Sequence, residues 1–280
     1  MSETGVYQTK LKNGKPSYRA SLTSHGRHIS LGSFPSRAKA HRAYLEGRRI
    51  LSDAPATGDL TIDRLESIAS SFVLSYSKIV MLLNLRDNGL YFATPIYIRK
   101  RLFHYYLSET ERLTFDREDL FYYARHRIMR RGGHLFVADY GSQVTIFGRY
   151  GIRPFAVKDR DYRFINGDDT DFRYSNIEII NPYHGVLRQG NIGNYKYKAF
   201  LHLRGNHTVG TFDDPETAAI AYNKAVDLAK KTGITKDFPL NYLDSVAPRT
   251  YAEIYDSIRI SDRLTTYLNS VLTAAYNPQN

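Results

Sequence analysis

The chain is built twice from one short pattern, and this duplication constrains its fold more than any other feature. One copy runs Gly5-Val6-Tyr7, Tyr18-Arg19-Ala20 and Gly26-Arg27-His28-Ile29-Ser30-Leu31-Gly32-Ser33-Phe34. The other runs Gly185-Val186-Leu187, Tyr197-Lys198-Ala199 and Gly205-Asn206-His207-Thr208-Val209-Gly210-Thr211-Phe212. From the last glycine onward the match is ungapped: Gly32, Phe34, Ala40, Ala43 and Tyr44 fall on Gly210, Phe212, Ala218, Ala221 and Tyr222, while the loops before it differ by one residue. A repeat of this kind is one supersecondary unit used twice. Residues 18–23 and 197–202 alternate with the period of half-buried strands, so each copy predicts three short antiparallel strands followed by a helix. Asp214 can cap the second helix, Pro215 fits its first position and Glu216 suits its positive end. Ala218, Ala221, Tyr222, Ala225 and Val226 give that helix a face that lies close on a sheet. The opposite sheet face is then free.

Charge follows the duplication. Of the net +11, residues 1–50 carry +8 and residues 185–240 carry +3, while 51–184 carry +1 and 241–280 carry −1. A basic module is the electrostatic footprint of a polyanionic partner, most often nucleic acid. The absence of cysteine excludes a disulfide framework, a Cys-bearing zinc finger and a cysteine nucleophile, and it fits a reducing interior. No run reaches the roughly 18 apolar residues of a membrane span, and the polar start Met1-Ser2-Glu3-Thr4 has no signal-peptide core. These features predict a cytoplasmic protein with no membrane partner, nucleoid-associated if prokaryotic or phage-encoded.

The Gly-Val-Tyr start, the Tyr-Arg-Ala or Tyr-Lys-Ala second strand, the Leu-Gly-Ser-Phe or Val-Gly-Thr-Phe ending and the Ala-Ala-x-Ala-Tyr helix resemble the apetala-two/ethylene-response-factor (ERF) DNA-binding domain. The second copy also continues into Lys236-Asp237-Phe238-Pro239-Leu240-Asn241, similar to that family's Asn-Phe-Pro tail. The resemblance implies that the free sheet face enters the major groove of double-stranded DNA. Carried over by alternation, Tyr7, Thr9, Arg19, Ser21, Thr23, His28 and Ser30 face DNA in the first copy. Leu187, Gln189, Lys198, Phe200, His202, His207 and Val209 do so in the second. Arg19 suits guanine and Gln189 suits adenine. Lys10, Lys12, Lys15, Arg27 and Arg188 are read as phosphate contacts. The chain has no tryptophan, and Tyr7 and Leu187 replace an arginine common in the family, so the family's target sequence does not transfer.

Between the copies, Phe164-Ile165-Asn166-Gly167-Asp168-Asp169-Thr170-Asp171-Phe172-Arg173-Tyr174-Ser175-Asn176-Ile177 resembles the core of the HNH endonuclease family, whose pattern is His-Ile-Asn-Gly-Asp-x-x-Asp-Asn-Arg-x-x-Asn-Leu. That chemistry needs a histidine base and a divalent metal. Phe164 stands at the histidine position and Phe172 at an asparagine, and no histidine lies between His134 and His184. Phenylalanine neither takes a proton nor binds a metal, so the chain is expected to lack cleavage, metal and cofactor. Asp168, Asp169 and Asp171 are read as turn and capping residues after the Asn166-Gly167 bend. Arg149, Arg153, Lys158, Arg160, Arg163 and Arg173 are expected to present charge to a duplex.

The implied organisation is α+β: ERF-like modules at 1–54 and 184–244, a mainly helical 55–133 opening on a Pro55-Ala56-Thr57-Gly58 linker, a degenerate ββα HNH-like domain at 134–183, and a helical 245–280. Phe103, Tyr106, Leu107, Leu120, Phe121 and Ile128 are expected to form a helical core with a basic outer face. Pro248 is read as a stop and Thr250-x-x-Glu253 as a capping box. The apolar side formed by Ile254, Ile258, Leu264, Leu268, Val271 and Leu272 suits packing on the middle domain or, alternatively, a homodimer contact. The functional expectation is a sequence-specific regulator of transcription, a repressor, domesticated from a homing endonuclease of a phage or mobile element. The alternatives are an active HNH-type nuclease using His126, His134 or His184, and a protein-binding decoy of a related nuclease.

Overall fold

Two glycines mark the same joint in both copies. Gly5 and Gly185 have φ of +79° and +65°, and a Cβ on either would come within 2.4 Å of the ring of Tyr44 or Tyr222. Their carbonyls accept from Ser21 N–H at 2.9 Å and Phe200 N–H at 2.8 Å. The computed structural model describes residues 4–52, 60–139 and 141–276, so the expected Pro55–Gly58 linker lies outside the described residues. The chain is mixed α+β and divides into two units, residues 1–146 with 164–176 and residues 147–163 with 177–280.

In the first unit, β1 (Val6–Lys10), β2 (Pro16–Ser24) and β3 (Arg27–Phe34) form an antiparallel sheet under α1 (Arg37–Ser52). Val6, Ala20, Leu22, Ile29 and Leu31 point to the helix and meet Ala40, Ala43 and Ile50, all buried. The core continues past α1 into the short α2 (Leu65–Ile68) and into α3 (Tyr76–Asn88), whose Ile79, Val80, Leu82 and Leu83 are buried. Glu46 of α1 accepts the Val73 and Leu74 amides at 2.9 and 3.0 Å, fixing α1 to that segment.

Residues 96–131 are not the helical core their aromatic spacing suggests. They supply β4 (Ile96–Ile98), β5 (Leu102–Tyr106) and β6 (Arg112–Asp116) as one antiparallel sheet, then a single short helix, α4 (Leu120–Arg125). Phe103, Tyr106, Leu120 and Ile128 are core residues as expected, but Phe121 is largely exposed. Within this sheet Phe103 and Tyr105 alternate with outward residues, and Phe103, Phe115 and Tyr123 stack together. A third sheet contains β7 (Ile128–Arg131), β8 (His134–Asp139) and β9 (Ser142–Thr145).

β10 (Tyr162–Phe164) pairs with β11 (Ile177–Ile179), and in the second unit β12 (Val186–Asn191), β13 (Asn194–His202) and β14 (Asn206–Phe212) form the second module's sheet under α5 (Pro215–Lys231). Asp214 caps α5 by accepting Thr217 N–H at 2.7 Å, and Pro215 opens it. Both modules have a register shift at one place, after Ala20 in β2 and after the matching Ala199 in β13. Pro248 begins α6 (Pro248–Ser257) instead of ending the preceding segment, so Thr250 lies inside the helix and caps nothing. α7 (Asp262–Tyr276) follows. Ile258, Ile260, Leu264 and Leu268 are buried in the second module's own core with α5, and Ile254 packs against it, so this part of the apolar side assigned to the middle domain or a homodimer is used within the module. Among the described residues of 134–183 there is no α-helix, and the expected ββα unit is replaced by short strand pairs joined by tight 3-10 turns. Among the described residues no helix is long and apolar enough to cross a membrane.

Candidate nucleic-acid interface

The first sheet keeps one face uncovered by α1. Its register brings Tyr7, Arg19 and Ser33 into one cross-strand row, Ser21 and Ser30 into the next, and Thr23 and His28 into a third. Tyr7, Arg19, Thr23, His28, Ser30 and Ser33 are exposed. Two expected members of this face are muted. Ser21 is only 6% exposed, and the Thr9 hydroxyl donates to the Ser17 carbonyl at 3.2 Å. Arg19 has no carboxylate partner among the described residues, so its planar donor fork is available for a bidentate acceptor.

Around this face the basic side chains differ in freedom. Lys10, Lys12 and Lys15 are exposed on and beside the β1–β2 hairpin, whose turn is closed by Leu11 N–H to the Lys15 carbonyl at 2.9 Å. Arg27 is committed elsewhere: it donates to the Tyr91 carbonyl at 3.1 Å and lies over that ring at 5.5 Å. It fastens the module to the end of α3 and does not stand free as a phosphate contact.

The second sheet repeats the rows with a change of side. Leu187, Lys198 and Thr211 share one row, Gln189 and Lys196 another, Phe200 and Thr208 a third, and His202 and Asn206 a fourth. His207 and Val209, expected here, lie on the opposite face. Val209 is wholly buried under α5, while His207 stacks on Tyr267 of α7 at 4.1 Å. The first hairpin turns at His25-Gly26 with both φ positive, whereas the second spends three residues, Leu203 to Gly205, between paired His202 and Asn206. One more residue in the turn and one fewer in the strand exchange the faces, because strand side chains alternate with period two. Ser33, Lys196, Asn206, Thr208 and Thr211 went unrecognised in the sequence; the ungapped match at Gly32 and Gly210 sets Thr208 opposite Ser30 and would have found it. Arg188 is also elsewhere, over the Tyr195 ring at 4.5 Å and 3.6 Å from Glu178.

Unlike the first, this face carries a roof. Arg153, Arg160 and Asp161 line a cleft of about 200 Å³ together with Leu187, Gln189, Lys198, Phe200, Asn206 and Thr208. Asp161 is buried and accepts from Val157 N–H at 2.8 Å, Arg160 at 2.8 Å and Arg153 at 3.1 Å. Burial alone pushes the Asp161 carboxyl up, but the hydrogen bonds from Arg160 and Val157 and the charge of Arg153 carry it below the ordinary carboxylate range. Two guanidinium groups share one carboxylate here, so the cleft is cationic, with Lys198 adding a third positive charge.

The segment resembling the HNH core holds itself together. Phe164 is buried edge-on against Phe172, which stacks on Phe115 of β6 at 5.6 Å, so both phenylalanines are packing residues. Gly167 turns at φ +79°, Asn166 N–H donates to the Asn176 side-chain carbonyl at 2.8 Å, and buried Asp171 binds Arg173 through Nε at 2.9 Å and Nη2 at 2.6 Å. Burial would raise the Asp171 carboxyl, but Arg173 holds it below its usual range. Arg173 and Arg163 are thus engaged, the latter with Glu178 at 2.7 Å, and Arg149 is exposed in a 3-10 turn. His126 has both ring nitrogens occupied, Nδ1 near the Tyr122 carbonyl at 2.9 Å and Nε2 near Asp139 at 3.4 Å. His184 is half-buried, its backbone clasped by the Asn241 amide, and His134 is exposed at the start of β8. Among the described residues no three His, Asp or Glu side chains converge as metal ligands. No protein-family model, no curated protein and no solved structure matches the chain.

Proposed function

We propose that this chain is a sequence-specific double-stranded DNA-binding protein that regulates transcription as a repressor, derived from an HNH-type homing endonuclease and no longer cutting. The observation that carries the reading is the uncovered face of the β1–β2–β3 sheet, where Arg19 stands, without a carboxylate partner among the described residues, on one face with Tyr7, Thr23, His28 and Ser30, and the Lys10, Lys12 and Lys15 cluster flanks it. A sheet face can enter the major groove and read base edges while flanking lysines bind phosphates. The resemblance of both modules to the ERF domain points the same way. Loss of cleavage follows from Phe164 and Phe172, which fill a core instead of offering a base or ligand.

Selection of bound duplexes from a random pool, with and without Mg²⁺, tests this reading. A recovered consensus and uncut product are expected. Failure to enrich any sequence would contradict DNA recognition, and nicked product would contradict the loss of catalysis.

A further inference from the structure

Phe155 is 90% exposed and stands on a turn that another residue would make more easily. Arg153-Pro154-Phe155-Ala156 is closed by Ala156 N–H donating to the Arg153 carbonyl at 3.2 Å, with proline second and a φ of +63° at the third residue. Turns of this kind take glycine or asparagine at that place, because a bulky Cβ crowds the left-handed conformation. The phenyl ring gains no burial to offset the strain. The turn is nonetheless firmly held, since Val157 N–H and both flanking arginines, Arg153 and Arg160, bind the buried Asp161 carboxylate. Strain kept in a rigid segment, with an apolar ring aimed into water, is the mark of a side chain that acts outside the fold. The setting is cationic: Arg153, Lys158 and Arg160 each lie within five residues of Phe155, and Lys198 lines the cleft with Arg153 and Arg160.

We propose that Phe155 is a wedge that inserts between base pairs of bound duplex DNA and unwinds it there. This inference rests on the DNA-binding reading above. Apolar side chains that intercalate unstack a base step and distort the duplex, and they need rigid presentation and neighbouring cations on the phosphates. Phe155 meets both conditions, and a duplex is the polyanion whose interior accepts an aromatic ring.

The full chain is incubated with relaxed plasmid and topoisomerase I, then removed, and the topoisomers are resolved; filter retention of the same plasmid is measured at the same salt. Wild type should retain the plasmid and shift its linking number. Phe155→Gly should retain the plasmid, lose the shift and melt at the same or a higher temperature, because glycine relaxes the turn. Phe155→Leu, which keeps an apolar wedge, should preserve a shift. Retention by wild type without a shift, or an undiminished shift by Phe155→Gly, overturns the wedge alone and makes Phe155 a candidate anchor for a protein partner. Failure of wild type to retain plasmid overturns the DNA-binding reading, and the wedge with it.

Discussion

Two arginines of the first sheet, Arg19 and Arg27, are held very differently. Arg19 is exposed on an open sheet face with no carboxylate partner among the described residues, whereas Arg27 spends its guanidinium on Tyr91. Arg19→Ala is therefore expected to relax preference at one position of the selected site, weakening that contact by about 1–3 kcal/mol, and to leave melting unchanged. Arg27→Ala should instead lower the melting temperature with little change in preference. Competition binding against single-position variants, with thermal melts alongside, separates the two. Phe164 makes a second residue-scale test. Phe164→His puts an imidazole against the Phe172–Phe115 stack, at an expected cost of about 2–4 kcal/mol in urea denaturation, and should yield no metal-dependent plasmid nicking. Undiminished stability with new nicking would contradict both the packing role of Phe164 and the proposed loss of cleavage. That the side chains at Phe164 and Phe172 offer neither base nor metal ligand was legible in the sequence. Their packing role was not, because β6, their partner, lies about fifty residues away in the chain.

Among the elements, α5 was the most readable, since its cap, its proline and its small-residue face all lie within one short stretch. β14 was misread by one position. His28 and His207 look equivalent by name, but the extra turn residue makes His28 the counterpart of Asn206. The strands β4–β6 were hidden for another reason: three to five residues give too few positions to separate a period of two from a helical period. The 153–161 roof had no sequence signature, because its organising group is one buried carboxylate. That carboxylate carries its own prediction. The folded-state pKa of Asp161 lies below its unfolded value, so its contribution to stability is complete above about pH 4 and is lost as pH falls through the folded value. Asp161→Asn should cost about 2–3 kcal/mol at neutral pH and flatten the acid side of the stability curve. Denaturant titrations from pH 7 to pH 3 measure both effects. An unchanged acid limb would mean that the pairs with Arg153 and Arg160 contribute nothing to stability.

At the scale of the molecule, the duplication that opened the sequence survives as two modules with matching glycine–tyrosine joints and matching register shifts, one in each unit. Each module's helix is covered by later helices, α3 in the first unit and α6 with α7 in the second, so neither module is a free-standing sheet and helix. The sequence anticipated the modules because their pattern is local. It missed their completion, because a helix face does not state which neighbour will cover it. Charge remains with the modules, and this links the fold to the proposed activity. The most direct test is the equilibrium affinity of the full chain for its selected duplex between 50 and 200 mM salt. Contacts to roughly six to ten phosphates predict a log–log slope of about −5 to −9, reduced by about one in Lys12→Ala without loss of sequence preference. A nearly flat salt response, or no measurable binding to any duplex at low salt, would contradict the account.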